Sequence, residues 1–444
     1  MDIYANGNMN VKLIAIVAVI AVVAAGGTGV YFLTKDNGEK PIAVSDLADC
    51  RLLVYGNANN DDVINNDDVR LIEKLIADKS ENWNTKYPFA DANNDTKLDT
   101  ADVDMAKKIL NRDSMEINVA YKDGDAFKAD KVNYPIKHAI VVGDNPAIAI
   151  KTVGALDKIV GIAVTELTTD PIYSDLTDES KITRVGNKST AATISLISNV
   201  HEKYNDAVVL TSSSSRYLTN ESDIEAAGVP VVRFNVDGGT SGLESIQGIL
   251  TVGYLLGCEE KSQKFANFCD EILKNVADKV SANVKTKETC IATNRTKNVS
   301  GLSSEYYPIV NLAGGNNVIT KDTTQTSFNG ASDDWLLAYE FKHIVHSTSL
   351  GYVTTLDEKS EYDTYAANFK DLQQYKDKHF VLVNANLPAA IRVAYIASYF
   401  YPDLFDADYG DKMLKTFFDD YLSNMKSYKI ADGTFIVKYT DVYA

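Results

Sequence analysis

Apolar residues recur at three- and four-residue steps along Phe265, Phe268, Cys269, Ile272, Val276 and Val280, a single stripe on one helix. Gly257 stops the preceding segment, and Glu259 and Glu260 suit the positive end of a new helix. No Pro or Gly interrupts the run until well past Ala282. At about 1.5 Å per residue, roughly 25 residues span about 38 Å, longer than one compact lobe needs. On either side, short β-branched runs alternate with helical patterns. Before it, HAIVVG (138–143), KIVGIAV (158–164), AVVLTS (207–212) and VPVVRF (229–234) read as buried strands. Helical patterns at 147–156, 194–204 and 222–227 separate them, and 243–256 leads into the long helix. After it, TCIAT (289–293), KHIVHS (342–347) and HFVLVN (379–384) read as strands, with helices at 306–313, 389–400 and 412–428. Such alternation predicts mostly parallel sheets flanked by helices. The expected fold is α/β: two Rossmann-like lobes, residues 137–256 and 288–444, joined by a spine helix over 257–287.

The first 36 residues carry a different pattern. LIAIVAVIAVVAAGGTGVYFL, residues 13–33, contains no charge over a length sufficient to cross a bilayer. Lys12 precedes it and an acidic chain follows, which puts the short N-terminus inside and the rest outside the cell membrane. The run is long for a signal-peptide core, so the expectation is an N-terminal transmembrane helix. A cleaved signal is the alternative, since Ala24, Ala25, Gly26 and Gly27 are small enough for a peptidase.

Residues 46–113 contain an internal repeat. The loop Asn57, Asn59, Asp61, Asn65, Asp68 returns 34 positions later as Asp91, Asn93, Asp95, Asp99, Asp102. Each set occupies positions 1, 3, 5, 9 and 12 of a loop, with Ile64 or Leu98 at position 8. Hard oxygen ligands wrap one Ca²⁺ with this spacing. Each loop runs into a helix, 69–78 and 103–111; no convincing helix enters the first loop, and position 12 is Asp rather than Glu. Both features resemble a small α-helical dockerin module, and that resemblance implies calcium and a cohesin-like protein partner. Position 6, usually Gly, is Asp62 in one loop and Thr96 in the other. Charge count favours the second loop as the tighter site; Thr96 argues the other way. An acidic, turn-rich linker without metal is the competing reading. Residues 114–136 read as a connecting strand and linker closed by Pro135.

Composition narrows the function. In 444 residues, 61 Asp and Glu against 44 Lys and Arg give a net charge of -17, with no basic patch to receive nucleic acid. Cys50, Cys258, Cys269 and Cys290 form no CxxC pair, and a continuous helix keeps Cys258 and Cys269 from bridging. Free, mostly buried thiols are the plain reading. No G-x-S-x-G, HExxH, Walker loop or G-x-G-x-x-G is present, which speaks against an enzyme. His343 and His346 stand three apart on a strand and therefore point to opposite faces. Five scattered His also make a bare metal-ion site a weak alternative.

Five motifs in order carry a resemblance over about residues 136–430. They are Lys158-Ile-Val-Gly-Ile-Ala-Val, Val185-Gly186 before a Ser/Thr stretch, and Asn311-Leu-Ala-Gly-Gly-Asn-Asn. Asp334-Trp335-Leu-Leu-Ala-Tyr-Glu-Phe-Lys-His-Ile-Val and Ile396-Ala-Ser-Tyr-Phe-Tyr-Pro-Asp-Leu-Phe complete the set. The succession resembles a class III periplasmic binding protein of the cobalamin and iron-siderophore ABC uptake group. The resemblance implies an extracytoplasmic protein that takes a metal chelate between its lobes, without chemistry, and delivers it to a membrane permease. Asp334 falls where the second lobe of such proteins docks on the transporter; the first-lobe position falls near Thr193, which is not acidic. Ligands of open α/β sheets sit at the carboxyl ends of strands. That rule selects Asn145, Glu166, Arg216 and Tyr217 in the first lobe, and Arg295, Tyr306, His346 and Asn386 in the second, as ligand-binding candidates. Tyr217 and Tyr306 suit a large flat ligand, Arg216 and Arg295 carboxylate or catecholate oxygens. The alternative is a cell-surface scaffold or adhesion protein in which the dockerin-like module is the working part.

Overall fold

The computed structural model describes residues 50–443 except 124–125, 166, 188–191, 215–216, 237–243, 303, 320–326, 329–330 and 353–355. The apolar run at 13–33 lies outside the described residues. Among the described residues no helix is long and apolar enough to cross a membrane.

The repeat folds as two matching loop–helix units, α1 (Asn66–Ala77) and α2 (Thr100–Leu110). Asn65 and Asp99 cap them with the same backbone, φ −147 and ψ −169, and Asp68 and Asp102 close a capping box in each. Val69, Ile72 and Leu75 of α1 pack with Val103 and Ala106 of α2 in a small core. The unit is not a bead on a string. Leu52, Val54, Ile64 and Ile109 belong to the main core of the first lobe. Gln247 Nε2 donates to the Cys50 carbonyl at 2.5 Å, and the Leu53 N–H donates to Thr251 Oγ1 at 3.3 Å.

Residues 114–136, read above as a strand and linker, form an antiparallel ribbon. β1 (Met115–Asp123) pairs β2 (Ala126–Tyr134) from Met115↔Tyr134 onward. Ile117, Val119, Val132 and Tyr134 are its buried residues facing the main core, and a bridge Val54↔Val119 stitches the repeat to it.

The first lobe follows: β3 (His138–Val142), α3 (Asp144–Thr152), β4 (Ile159–Ala163), β5 (Thr183–Gly186), α4 (Ile194–Tyr204), β6 (Ala207–Ser212), α5 (Glu221–Ala226), β7 (Val231–Phe234) and α6 (Glu244–Leu255). Its sheet is parallel in the order β5-β4-β3-β6-β7. Ala139 and Val141 face one core, Ile140 and Val142 the other. Burial on both faces is why these strands read as unbroken apolar runs. The spine α7 spans Glu259–Asn283. Phe265, Cys269 and Ile272 lie in the main core, which joins the first lobe to the closing helices of the second, and Val276 and Val280 in a core of the second lobe alone. One stripe thus serves both lobes.

The second lobe contains β8 (Thr289–Asn294), β9 (Asn298–Ser300), α8 (Tyr306–Leu312), β10 (Asn316–Asn317), β11 (Ser327–Phe328), the one-turn α9 (Asp333–Leu336) and β12 (His343–Thr348). α10 (Glu358–Ala366), β13 (Phe380–Asn384), α11 (Ala389–Phe400), α12 (Tyr409–Tyr421) and β14 (Ile436–Lys438) complete it. Its centre is parallel, β8-β12-β13, with antiparallel edges at β9, β11 and β14. The chain then returns to the first lobe. Asn424 Nδ2 donates to the Pro171 and Ile172 carbonyls, and Asp170 Oδ2 accepts the Tyr352 N–H at 2.9 Å.

Candidate functional site

The carboxyl ends of β3, β7 and β13 converge on one cavity between the lobes, about 770 Å³ of atom-free space open to solvent. Gly143 ends β3 at φ +124, a left-handed value that favours glycine, and turns the chain so that Asn145 enters the wall. Val236 follows β7, and Ala385 to Pro388 follow β13. Phe265, Cys269 and Leu273 of the spine line it together with Ile246 and Ile249 of α6 and Phe417 of α12, whose ring packs on Phe265. The polar groups are few: Asn145, Thr152, Glu305, Asn386 and Arg392 among them. A mainly apolar cavity with several placed polar groups suits small-molecule capture.

Buried Asn384 holds the second-lobe wall in place. Its Nδ2 donates to the Gly351 and Thr434 carbonyls, and its Oδ1 accepts the Leu350 and Asn386 N–H groups. Asn386 Oδ1 in turn accepts the Gly351 N–H at 2.9 Å and Ser349 Oγ at 2.7 Å.

Of the sequence candidates, Asn145 and Asn386 line this cavity. Tyr217 lies beside Gly143, at the turn that carries Asn145. Tyr306 stands at the start of α8, its ring 5.8 Å from the Arg392 guanidinium carbon. Glu166 and Arg216 lie outside the described residues. Arg295 is exposed on the β8–β9 turn at φ +51 and is not in the wall. His346 is fully buried among Tyr365, Phe369 and Phe380, with Nδ1 2.9 Å from Thr293 Oγ1, and it too is outside the wall. His343 packs on the other face, against Tyr399 and Phe400. Asp334 is exposed in the first turn of α9.

Burial pushes His346 down to about 3, against an opposing contact from the Arg295 backbone. The folded state therefore holds this imidazole neutral while the unfolded chain protonates it below about 6.5. Stability is complete above that pH and is lost as pH falls toward 3. Urea unfolding between pH 6.5 and 4 is expected to show a decline of up to about 1.4 kcal/mol per pH unit from this group. His346→Gln removes that part of the slope; an unchanged slope would refute the assignment.

Sequence reasoning missed Arg392 and Glu305. The signal was present: α11 reads AAIRVAYIASYF, and Arg392 is its one charged residue, buried with its apolar neighbours.

The two acidic loops share one hydrogen-bond plan. Asp68 Oδ1 accepts the Asn59 N–H and Oδ2 the Asn65 N–H; Asp102 does the same with Asn93 and Asp99. Asn59 and Asn93 each accept the N–H two residues on, as do Asp61 and Asp95. They part at position 6. Thr96 adopts φ +71 and donates its N–H to Asp91 Oδ2, whereas Asp62 turns to Arg51 at 2.7 Å. Burial raises Asp91 and Asp102 and pushes Asp68 up to about 7. Asn57 is sealed from solvent, and its Oδ1 has no donor among the described residues. An acceptor left bare in that position fits a cation in the first loop. Among the described residues, no three His, Cys, Asp or Glu side chains converge as a metal centre; the loops would draw on asparagine oxygens as well.

Residues 206–371 match the model of the family described as periplasmic binding protein. The fold is that of the TroA-like periplasmic binding proteins. The chain is similar to the TroA-like periplasmic binding protein FepB from Veillonella parvula, with 20% identity, TM-score 0.52, and 72% of this chain and 99% of that one covered. It is similar to Helicobacter pylori CeuE, in a structure described as a Ni-His complex, at 16% identity and TM-score 0.51, covering 70% and 99%. Similarity also extends to Haemophilus influenzae MolA bound to molybdate, at 18% identity and TM-score 0.50, covering 67% and 95%. No curated protein matches the chain.

Proposed function

We propose that this chain is the extracytoplasmic solute-binding component of an ABC importer, anchored to the membrane by residues 13–33. Its cargo is a metal chelate: an iron-siderophore, cobalamin or a related complex. One observation carries the reading, the interlobe cavity at the carboxyl ends of β3, β7 and β13. The match over residues 206–371 supports it. Capture needs no reaction. The spine packs into both lobe cores, and Asp170 holds Tyr352 across them. Closure is therefore small, and the loaded protein delivers its cargo to a permease, with Asp334 on the docking face.

The first loop favours a second reading alongside the first: calcium bound through Asn57, Asn59, Asp61, Asn65 and Asp68, and in the second loop through Asp91, Asn93, Asp95, Asp99 and Asp102. The bare Asn57 oxygen supports it. A cohesin-like partner would then make the chain a surface scaffold.

Thermal unfolding of the full-length chain separates these readings. Cobalamin, haem and several ferric siderophores are each tested with calcium and with chelator. A ligand at a hundred times its Kd adds about 2.7 kcal/mol, a shift of some degrees at this size. A shift with one chelate is the expected result and names the cargo. A shift with calcium alone would sink the uptake reading and leave the scaffold.

A further inference from the structure

The geometry points to Arg392 as the receptor for an oxyanion head, a carboxylate above all, on a ligand whose body is apolar. This inference rests on the cavity being the solute site. Arg392 is 3% exposed, sits in the first turn of α11 and is among the residues that line the cavity. Its Nη2 donates to Glu305 Oε2 at 3.0 Å. Its Nε and Nη1 are buried and meet no acceptor among the described residues. A guanidinium keeps its charge in any protein setting, and its donors are costly to bury unmade. An oxyanion entering from the cavity would supply an acceptor to one of these nitrogens together with the second N–H of Nη2, the edge that a planar carboxylate matches in geometry.

The apolar part of the lining bears on the body, beside the polar Asn145, Thr152 and Asn386. Ile246, Ile249, Phe265, Leu387 and Phe417 offer aliphatic and aromatic surface and no hydrogen bonds from their side chains. A bare inorganic oxyanion would leave that apolar surface uncovered. Glu305 already meets one nitrogen of Arg392, so the incoming anion competes with a resident carboxylate. Removing Glu305's charge should therefore tighten binding, an effect that a purely structural role for Arg392 does not produce.

Calorimetric titration of the full-length chain in lipid nanodiscs tests this. The probes are 4-phenylbutyrate, 2-naphthoate and indole-3-acetate, each beside its neutral amide, with molybdate and phosphate as bodiless oxyanions. At least one carboxylate is expected to bind tenfold or more tighter than its amide and than either inorganic anion. Arg392→Gln should erase the preference, Arg392→Lys should retain part of it, and Glu305→Gln should tighten the carboxylate several-fold with the amide unchanged. If Arg392→Gln does not fold, the Lys and Glu305 variants still decide. Equal binding of acid and amide, or a preference that survives in Arg392→Gln, overturns the assignment. Equally tight molybdate overturns the apolar body. If the carboxylates are silent while a siderophore, haem or cobalamin shifts the thermal midpoint, the Arg392 subsite fails and the solute-binding reading stands. Silence of both panels removes both.

Discussion

Arg51→Met is expected to cost about 3–5 kcal/mol, the usual penalty for removing one partner of a buried ion pair. Arg51 is 2% exposed, with Nε 2.7 Å from Asp62 and Nη2 3.0 Å from Asp270 on the spine. Methionine keeps most of the volume and removes the charge, so the loss is electrostatic rather than a cavity. Asp62 is then left almost fully buried without its cation, while Asp270, with its side chain about a fifth exposed, is partly rescued by water. The measurement is urea unfolding. Arg51→Met/Asp62→Asn should recover a good part of the loss, since removing both charges costs less than stranding one. If the double variant is as unstable as the single, the link is packing and the charge argument fails. The contact also explains a departure from the calcium-loop pattern. Asp62 stands where such loops usually have glycine, and it ties the first loop through Arg51 to the spine helix.

Much of this was legible in the sequence, for physical reasons that also mark where legibility stops. Strands buried on both faces leave unbroken β-branched runs, so AVVLTS at 207–212 gave its strand to the residue. The spine stripe was readable because one face of α7 meets both cores. The ribbon β1–β2 was not: its faces are mixed, with Lys122, Lys128 and Lys131 among Ile117, Val119 and Val132, and it reads as a linker. The strand-end rule points to one rim of the sheets, and of its candidates Asn145 and Asn386 line the interlobe cavity there. It gives position along the chain and not direction. Arg295 turns to solvent, and His346 stands inside β12 under an aromatic cluster. Arg392 escaped because an arginine in a helix reads by default as a solvated charge, although eleven apolar or small neighbours argued otherwise. Contacts between backbones far apart in sequence leave no periodic trace at all, and Gly248 is the plainest case.

Gly248→Ala is expected to destabilise the protein by about 3 kcal/mol or more, the upper end of what overpacking costs. Helix propensity alone argues the reverse, because alanine is favoured over glycine inside a helix by about 1 kcal/mol. Space decides. A Cβ at Gly248 in α6 would lie 1.4 Å from the Asn235 carbonyl oxygen and 2.5 Å from its carbon. No side-chain rotation relieves a clash with backbone. Asn235 is itself a junction, its Nδ2 donating to Gln247 Oε1 at 3.0 Å and its Oδ1 accepting the Lys122 N–H at 3.2 Å. Pushing α6 away from the end of β7 also moves Ile246, Ile249 and Val236, three members of the cavity wall. Ligand affinity should therefore fall together with stability. Gly253, one and a half turns on, is the control. There a Cβ would meet the Ser262 side chain at 2.4 Å, so Gly253→Ala should be rescued by Ser262→Gly. No side-chain substitution at Asn235 should rescue Gly248→Ala. Thermal midpoints of these variants check the argument, and a Gly248→Ala protein as stable as the parent would show that α6 and β7 are not as closely apposed as described.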